Sequence, residues 1–279
     1  MINTYNVKQA QLKYGSFKVG TGKEVILLIG SCRSVMYLNY LDKWNRENGN
    51  RFTIHHLDPF NHSFDENDKL VDVEKAIEKL ETNETLLNLL KSTDIYLHEY
   101  YQHFGMFNSD KKREKNIYQF GLNPKLEVCI CNWNDYFVLF NDLLTFDTEL
   151  QIRAREDLGK GIMLSQETQD IMRGKGEAAI EKFYEVCRLS DLPEMEQYFK
   201  DKHKTKRFFW SYNHISKWFS LACFKLMNDK FLKLETTEAF WNDITNWPDM
   251  FAHPSTGLTQ YDVDNYGFNW NEPLTEIKL

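Results

Sequence analysis

Glu24-Val25-Ile26-Leu27-Leu28-Ile29-Gly30-Ser31-Cys32-Arg33-Ser34 is the stretch from which the fold is read. Consecutive apolar residues closed by a glycine are what a strand covered on both faces of a parallel sheet requires, because neither face meets water. Val35 to Trp44 follows with apolar residues at helical spacing, so residues 24–46 predict a strand, a tight turn and a helix. Outward from this unit, Arg51–Leu57 predicts a second strand, and Val71–Leu90 a helical stretch with a break near Thr82-Asn83. Asp94–His98 and Leu126–Cys131 predict a third and a fourth strand. Strands alternating with helices predict an α/β fold with a mainly parallel, Rossmann-like sheet, right-handed crossovers and helices on its faces.

Residues 1–23 are polar with interspersed aromatics and read as an N-terminal extension or hairpin. From about 133 to 205 helical periodicity dominates, in Phe137–Leu144, Thr148–Leu158 and Ala178–Leu189, the last stopped by Leu192-Pro193. Arg207–Tyr212 reads as a further strand and Ile215–Met227 as an amphipathic helix. The remaining residues, rich in Trp, Asn, Pro and Gly, read as irregular. No repeat or low-complexity linker divides the chain, so residues 24–279 are expected to form a single α/β catalytic domain with a helical insertion or cap at about 133–205.

Composition narrows the function classes. A formal charge of −7 argues against holding nucleic acid by bulk electrostatics, which leaves it only as a sugar-bearing substrate. The two dense basic runs, Lys111–Lys115 and Lys200–Arg207, read as solvated faces. No apolar run reaches bilayer length and the first residues lack a leader pattern. Five cysteines, an odd number without a Cys-x-x-Cys pair, argue against both a disulfide framework and a zinc site. The expected setting is therefore the reducing cytoplasm. Nothing in the sequence specifies an oligomeric state.

The turn after the first strand is where chemistry is expected. Ligands of open parallel sheets bind at the carboxyl ends of the strands, and a helix N-terminus there offers unpaired N–H groups and partial positive charge. Cys32 falls at that point. Such a setting favours a thiolate, and the neighbouring N–H groups can hold an acyl-transfer oxyanion. A nucleophile needs an oriented base. His98-Glu99 ends the third strand and could face the same cleft; His214 lies at the start of the helix after the Tyr212 strand; His253 lies in a loop-like context. His55-His56 ends the second strand, but adjacent strand residues point to opposite faces, so a shared metal ion is not expected. Cys129 and Cys131 share a strand face and read as core. The tryptophans, Trp210 and Trp270 among them, read as buried anchors that could alternatively stack on a sugar or an adenine.

These residues carry a resemblance. Val25–Arg33 resembles the opening strand and Gly-Asn-Cys-Gln turn of the WcbI-type polysaccharide biosynthesis family, acetyltransferases that bind coenzyme A. Glu149–Glu156 is similar to that family's Leu-Arg-x-Arg-Glu segment, and Arg207–His214 to its Phe-x-Phe-Asn-His-Pro segment. The three occur in the family's order across residues 25–227. The chain departs from the pattern at Ser31 and Arg33, which stand for Asn and Gln, and at Ile215, which stands for Pro. The resemblance implies acetyl transfer from acetyl coenzyme A to a hydroxyl of a small-molecule, sugar or glycan-like acceptor, with no metal. It implies Cys32 as nucleophile, His214 as base with His253 in reserve, and Glu99 orienting or polarising. Ser31, Arg33, Ser34, Arg155 and Asn213 would hold the donor. The same turn also resembles the Gly-Asp-Ser block of SGNH-type esterases, with Cys32 in the nucleophile's place, but the closing Asp-x-x-His block is not matched at Asp249 and His253. An SGNH-like acyl hydrolase, or a binding module that has kept the fold without the chemistry, are the alternatives.

Overall fold

The computed structural model describes residues 17–57, 78, 81–100, 117–132, 138–211, 214–252 and 257–275. Their contacts gather into two compact units, one formed by the chain up to Ile130 together with Phe224–Asn246, the other by Cys131–Cys223 with the residues from Trp247 onward.

The first unit holds a five-stranded sheet. Its strands are β1 (Phe17–Val19), β2 (Glu24–Ile29), β3 (Phe52–Leu57), β4 (Ile95–Glu99) and β5 (Leu126–Ile130), in the order β1-β3-β2-β4-β5. β2, β3, β4 and β5 run parallel, in register Ile29↔Leu57 and Ile29↔His98, and β1 joins the edge antiparallel to β3. Ile26, Leu27, Leu28 and Ile29 are fully buried, as the apolar run requires. Leu27 and Ile29 face a cluster of Leu57, Tyr96, Leu86, Leu90 and Leu122, covered by helix α2 (Glu84–Ser92). Asn83 caps that helix by accepting from the Leu86 N–H, which is why the periodicity breaks at Thr82-Asn83. The first part of the expected helical stretch, residues 71–77, lies outside the described residues.

Two sequence expectations are corrected in this part of the chain. Residues 17–19 are not an appendage: they extend the sheet, and Val19 is buried. The segment after the amphipathic helix is not irregular, since α8 (Glu238–Asn246) and α9 (Gln260–Tyr266) form there. In the first unit, Phe224–Asn246 covers α1 (Val35–Glu47), the helix that follows the Cys32 turn. α1 is buried on almost every side from Met36 to Asn45, so one sheet face cannot cover it. Tyr40 meets Phe224 at 5.2 Å, the Trp44 indole donates to the Glu235 carbonyl at 2.8 Å, and Lys43 pairs with Asp243 at 2.6 Å.

The second unit is mainly helical: α3 (Phe140–Phe146), α4 (Thr148–Gly159), α5 (Gln166–Leu189) and α6 (Glu194–Lys202), then the short antiparallel pair β6 (Phe209–Ser211) and β7 (His214–Ile215). α5 begins twelve residues before the expected Ala178, where Ser165 caps it by accepting from Thr168 N–H. α7 (Lys217–Met227) passes from this unit into the first. His214 is therefore a strand residue and not the start of a helix. α9 carries a capping box between Thr259 and Asp262, and Asp262 also accepts from the Phe140 N–H at 2.8 Å, tying α9 to α3. Among the described residues no helix is long and apolar enough to cross a membrane.

If Phe224–Asn246 is part of the core around α1, Phe224→Ala lowers stability by about 3–5 kcal/mol in chemical denaturation. A loss under about 0.5 kcal/mol, the scale of a surface substitution, contradicts this packing.

Candidate functional site

The strand order reverses around β2: β3 lies on one side of it and β4 on the other. In open α/β sheets that switch point is where ligands bind. The residue after β2 is Gly30, and the chain then makes a single 3-10 turn over Cys32–Ser34 that runs directly into α1. The positive end of the α1 dipole is thus directed at this turn.

A buried carboxylate shapes the turn. Glu99, the last residue of β4, is wholly buried, and its Oε2 accepts from Ser31 N–H at 3.1 Å, Ser31 Oγ at 3.2 Å and Arg33 Nη2 at 2.9 Å. The Arg33 side chain is only 2% exposed, so the ion pair is internal. Ser34 is also buried, and its hydroxyl donates to the Ser31 carbonyl at 2.7 Å, closing the turn on itself. Gly30 has no room for a side chain: a Cβ would press on the Ser34 side chain and come within 2.9 Å of Glu99 Cδ. Cys32 is the exposed residue in this turn.

Below the turn stands His56, which sequence reasoning had set aside with His55. Its Nε2 lies 2.6 Å from Ser34 Oγ, and its ring stacks on Phe17 at 5.7 Å. Burial pushes its pKa down to about 4, against weaker opposing effects from Glu99 and the Ser31 and Gly30 carbonyls, so the imidazole is neutral at pH 7. The signal was present in the sequence. Of two neighbouring histidines at the end of a strand beside β2, one has to face the turn that β2 leads into.

Several expected site residues fall elsewhere. Ser31, Arg33 and Ser34 were expected to hold an acyl donor; all three turn inward, the first two onto Glu99 and the third onto Ser31 and His56. The Ser31 N–H is likewise engaged by Glu99, so it is not available to an oxyanion. His98 does not share the turn, because strand alternation puts it on the sheet face opposite Glu99. There its Nε2 meets Glu127 Oε1 at 3.2 Å, while the Tyr118 hydroxyl donates to the same oxygen at 2.6 Å. Burial alone would lower the His98 pKa, but Cys129 and Glu127 outweigh it and raise the pKa to about 10.

In the second unit, Arg155 is an exposed residue of α4. His214 is partly exposed, with Nδ1 at 3.1 Å from Ser211 Oγ and its ring stacked on Phe251 at 4.9 Å. Asn213 and His253 lie outside the described residues. Among the described residues no group of three His, Cys, Asp or Glu is placed to hold a metal ion.

Comparison with solved structures finds WcbI, described as a novel polysaccharide biosynthesis enzyme, in its native form without a disulfide bond between coenzyme A and a cysteine. The two chains are 11% identical, the match covers 79% of this chain and 72% of that one, and the TM-score is 0.42. No family model matches the chain. No curated protein matches it.

The neutral His56 makes a signed prediction. Its folded pKa, about 4, lies below the usual 6.5, so the unfolded chain binds the extra proton and stability is lost as pH falls from about 6.5 toward 4. The loss is on the order of 3 kcal/mol. In denaturation at a series of pH values, His56→Gln, which keeps a donor at the Nε2 position, should flatten that slope. An unchanged slope would show that His56 is not its source.

Proposed function

We propose that this chain is an acyltransferase that takes an acyl group, acetyl in the first instance, from a coenzyme A thioester and passes it to a hydroxyl of a sugar or glycan-like acceptor. The observation that carries the reading is Cys32: an exposed thiol in a turn whose neighbouring side chains are buried, at the switch point of the sheet and before the N-terminus of α1. The resemblance of Val25–Arg33 to the WcbI-type turn supports the same chemistry.

In this mechanism the Cys32 thiolate, favoured by the helix N-terminus, attacks the thioester carbonyl. The carbon–sulfur bond to coenzyme A breaks, coenzyme A leaves as its thiolate, and a Cys32 thioester remains. The acceptor hydroxyl then attacks that thioester, a base takes its proton, and the Cys32 thiolate is released. Glu99 works by position: with Arg33 it fixes the turn from beneath and touches neither substrate. Arg33 is occupied by Glu99, so the donor pyrophosphate is met by other groups.

Incubation with acetyl coenzyme A should add one acetyl group, located at Cys32 by peptide mass spectrometry, and Cys32→Ala should abolish it while calorimetry still detects coenzyme A. Absence of both adduct and binding defeats the proposal. Release of nitrophenol from an acetyl ester without coenzyme A would instead favour a hydrolase.

A further inference from the structure

Arg207, in the second unit, is an unusual buried cation. The residue is 3% exposed, and its guanidinium carbon lies over two indoles, 4.2 Å from the Trp210 ring centroid and 4.8 Å from that of Trp270. Both aromatic rings pack on the guanidinium, and its N–H groups remain to meet a polar partner. None of Nε, Nη1 and Nη2 donates a hydrogen bond, and the Trp210 Nε1–H beside them donates none either. Nη2 approaches Glu272 Oε2 at 3.0 Å as an ion pair without hydrogen-bond geometry. Buried donors left unmet cost about 1–3 kcal/mol each, and native structures keep few of them. Three in one place, beside the ion-paired Nη2, call for a partner.

The surrounding charge selects its chemistry. Besides Glu272, Arg207 feels the carboxylates of Asp142, Asp262 and Asp249. Asp262 is engaged by Thr259 and the Phe140 N–H, and Asp249 by the N–H groups of Lys217 and Phe251. Four carboxylates around one guanidinium make the place hostile to a phosphate or a further carboxylate. A hydroxyl suits it, because it accepts from Arg207 or Trp210 and donates to Glu272, whereas an anion can only accept. Adjacent hydroxyls match the paired N–H groups of a guanidinium edge, and the half-buried Trp210 ring offers an apolar surface to the C–H face of a pyranose. The Glu272 side chain is 29% exposed, so this end of the site reaches solvent.

We propose that Arg207, Trp210 and Glu272 form a binding site for a neutral sugar, seated by neighbouring hydroxyls on the guanidinium edge and the indole N–H. The site belongs to the second unit alone and does not rest on the Cys32 chemistry.

Calorimetric titration of the full chain with glucose, galactose and mannose tests it, with glucuronate and inorganic phosphate as charged comparisons. At least one neutral sugar should bind with millimolar affinity and the charged ligands should not compete. Trp210→Phe keeps the aromatic ring but deletes the N–H, and should weaken binding about fivefold. Arg207→Lys should weaken it further, and Cys32→Ala should leave it unchanged. The proposal is overturned by absence of saturable binding up to about 100 mM, by preference for glucuronate or phosphate, or by undiminished affinity in Trp210→Phe, whose fold is checked by near-UV circular dichroism.

Discussion

A carboxylate with no access to water holds the turn that carries Cys32. Glu99 meets the Ser31 N–H, the Ser31 hydroxyl and the Arg33 guanidinium through one oxygen. A buried ion pair of this kind is poor evidence for extra stability, because desolvating both charges offsets most of their attraction. Its effect is specificity. Arg33 cannot leave without stranding Glu99, so the turn has one low-energy arrangement, in which residues 31, 33 and 34 point inward and residue 32 outward.

The sheet supplies the other half of the constraint. Register Ile29↔His98 sets the end of β2 level with the end of β4, so Glu99 arrives beneath residues 31–33. Register Ile29↔Leu57 brings His56 to the opposite flank, where it meets Ser34. Gly30 follows from both, since a side chain there would strike Ser34 and Glu99 together. The motif Gly30-Ser31-Cys32-Arg33-Ser34 is thus a packing solution in which Gly30, Ser31, Arg33 and Ser34 each have an internal partner or an internal steric reason.

Much of this was legible in the sequence, for physical reasons. Continuous apolar runs have to be strands buried on both faces, so β2 to β5, their parallel arrangement and the position of Cys32 followed from Val25–Ile29 and its counterparts. What was not legible was the direction of polar side chains. Ser31, Arg33 and Ser34 look like ligand-binding residues in a turn, and only the arrival of Glu99, sixty-six residues beyond Arg33 in sequence, turns the first two inward, while Ser34 meets the Ser31 carbonyl and His56. Glu238–Asn246 was misread as irregular because its Trp, Thr and Asn residues have weak helix propensity and the helix forms by packing on α1. Arg207 was counted within a solvated basic run, since nothing local announces that Trp210 and Trp270 will enclose it.

The central claim, that the buried Arg33–Glu99 pair sets the turn, is tested most directly by a double-mutant cycle with Arg33→Met and Glu99→Leu, read by chemical denaturation. Each single replacement strands a charge and should cost about 3–5 kcal/mol. The double replacement should cost less than the sum by at least about 2 kcal/mol. Additive losses would mean that the two side chains do not depend on each other and that something else holds Cys32 in place.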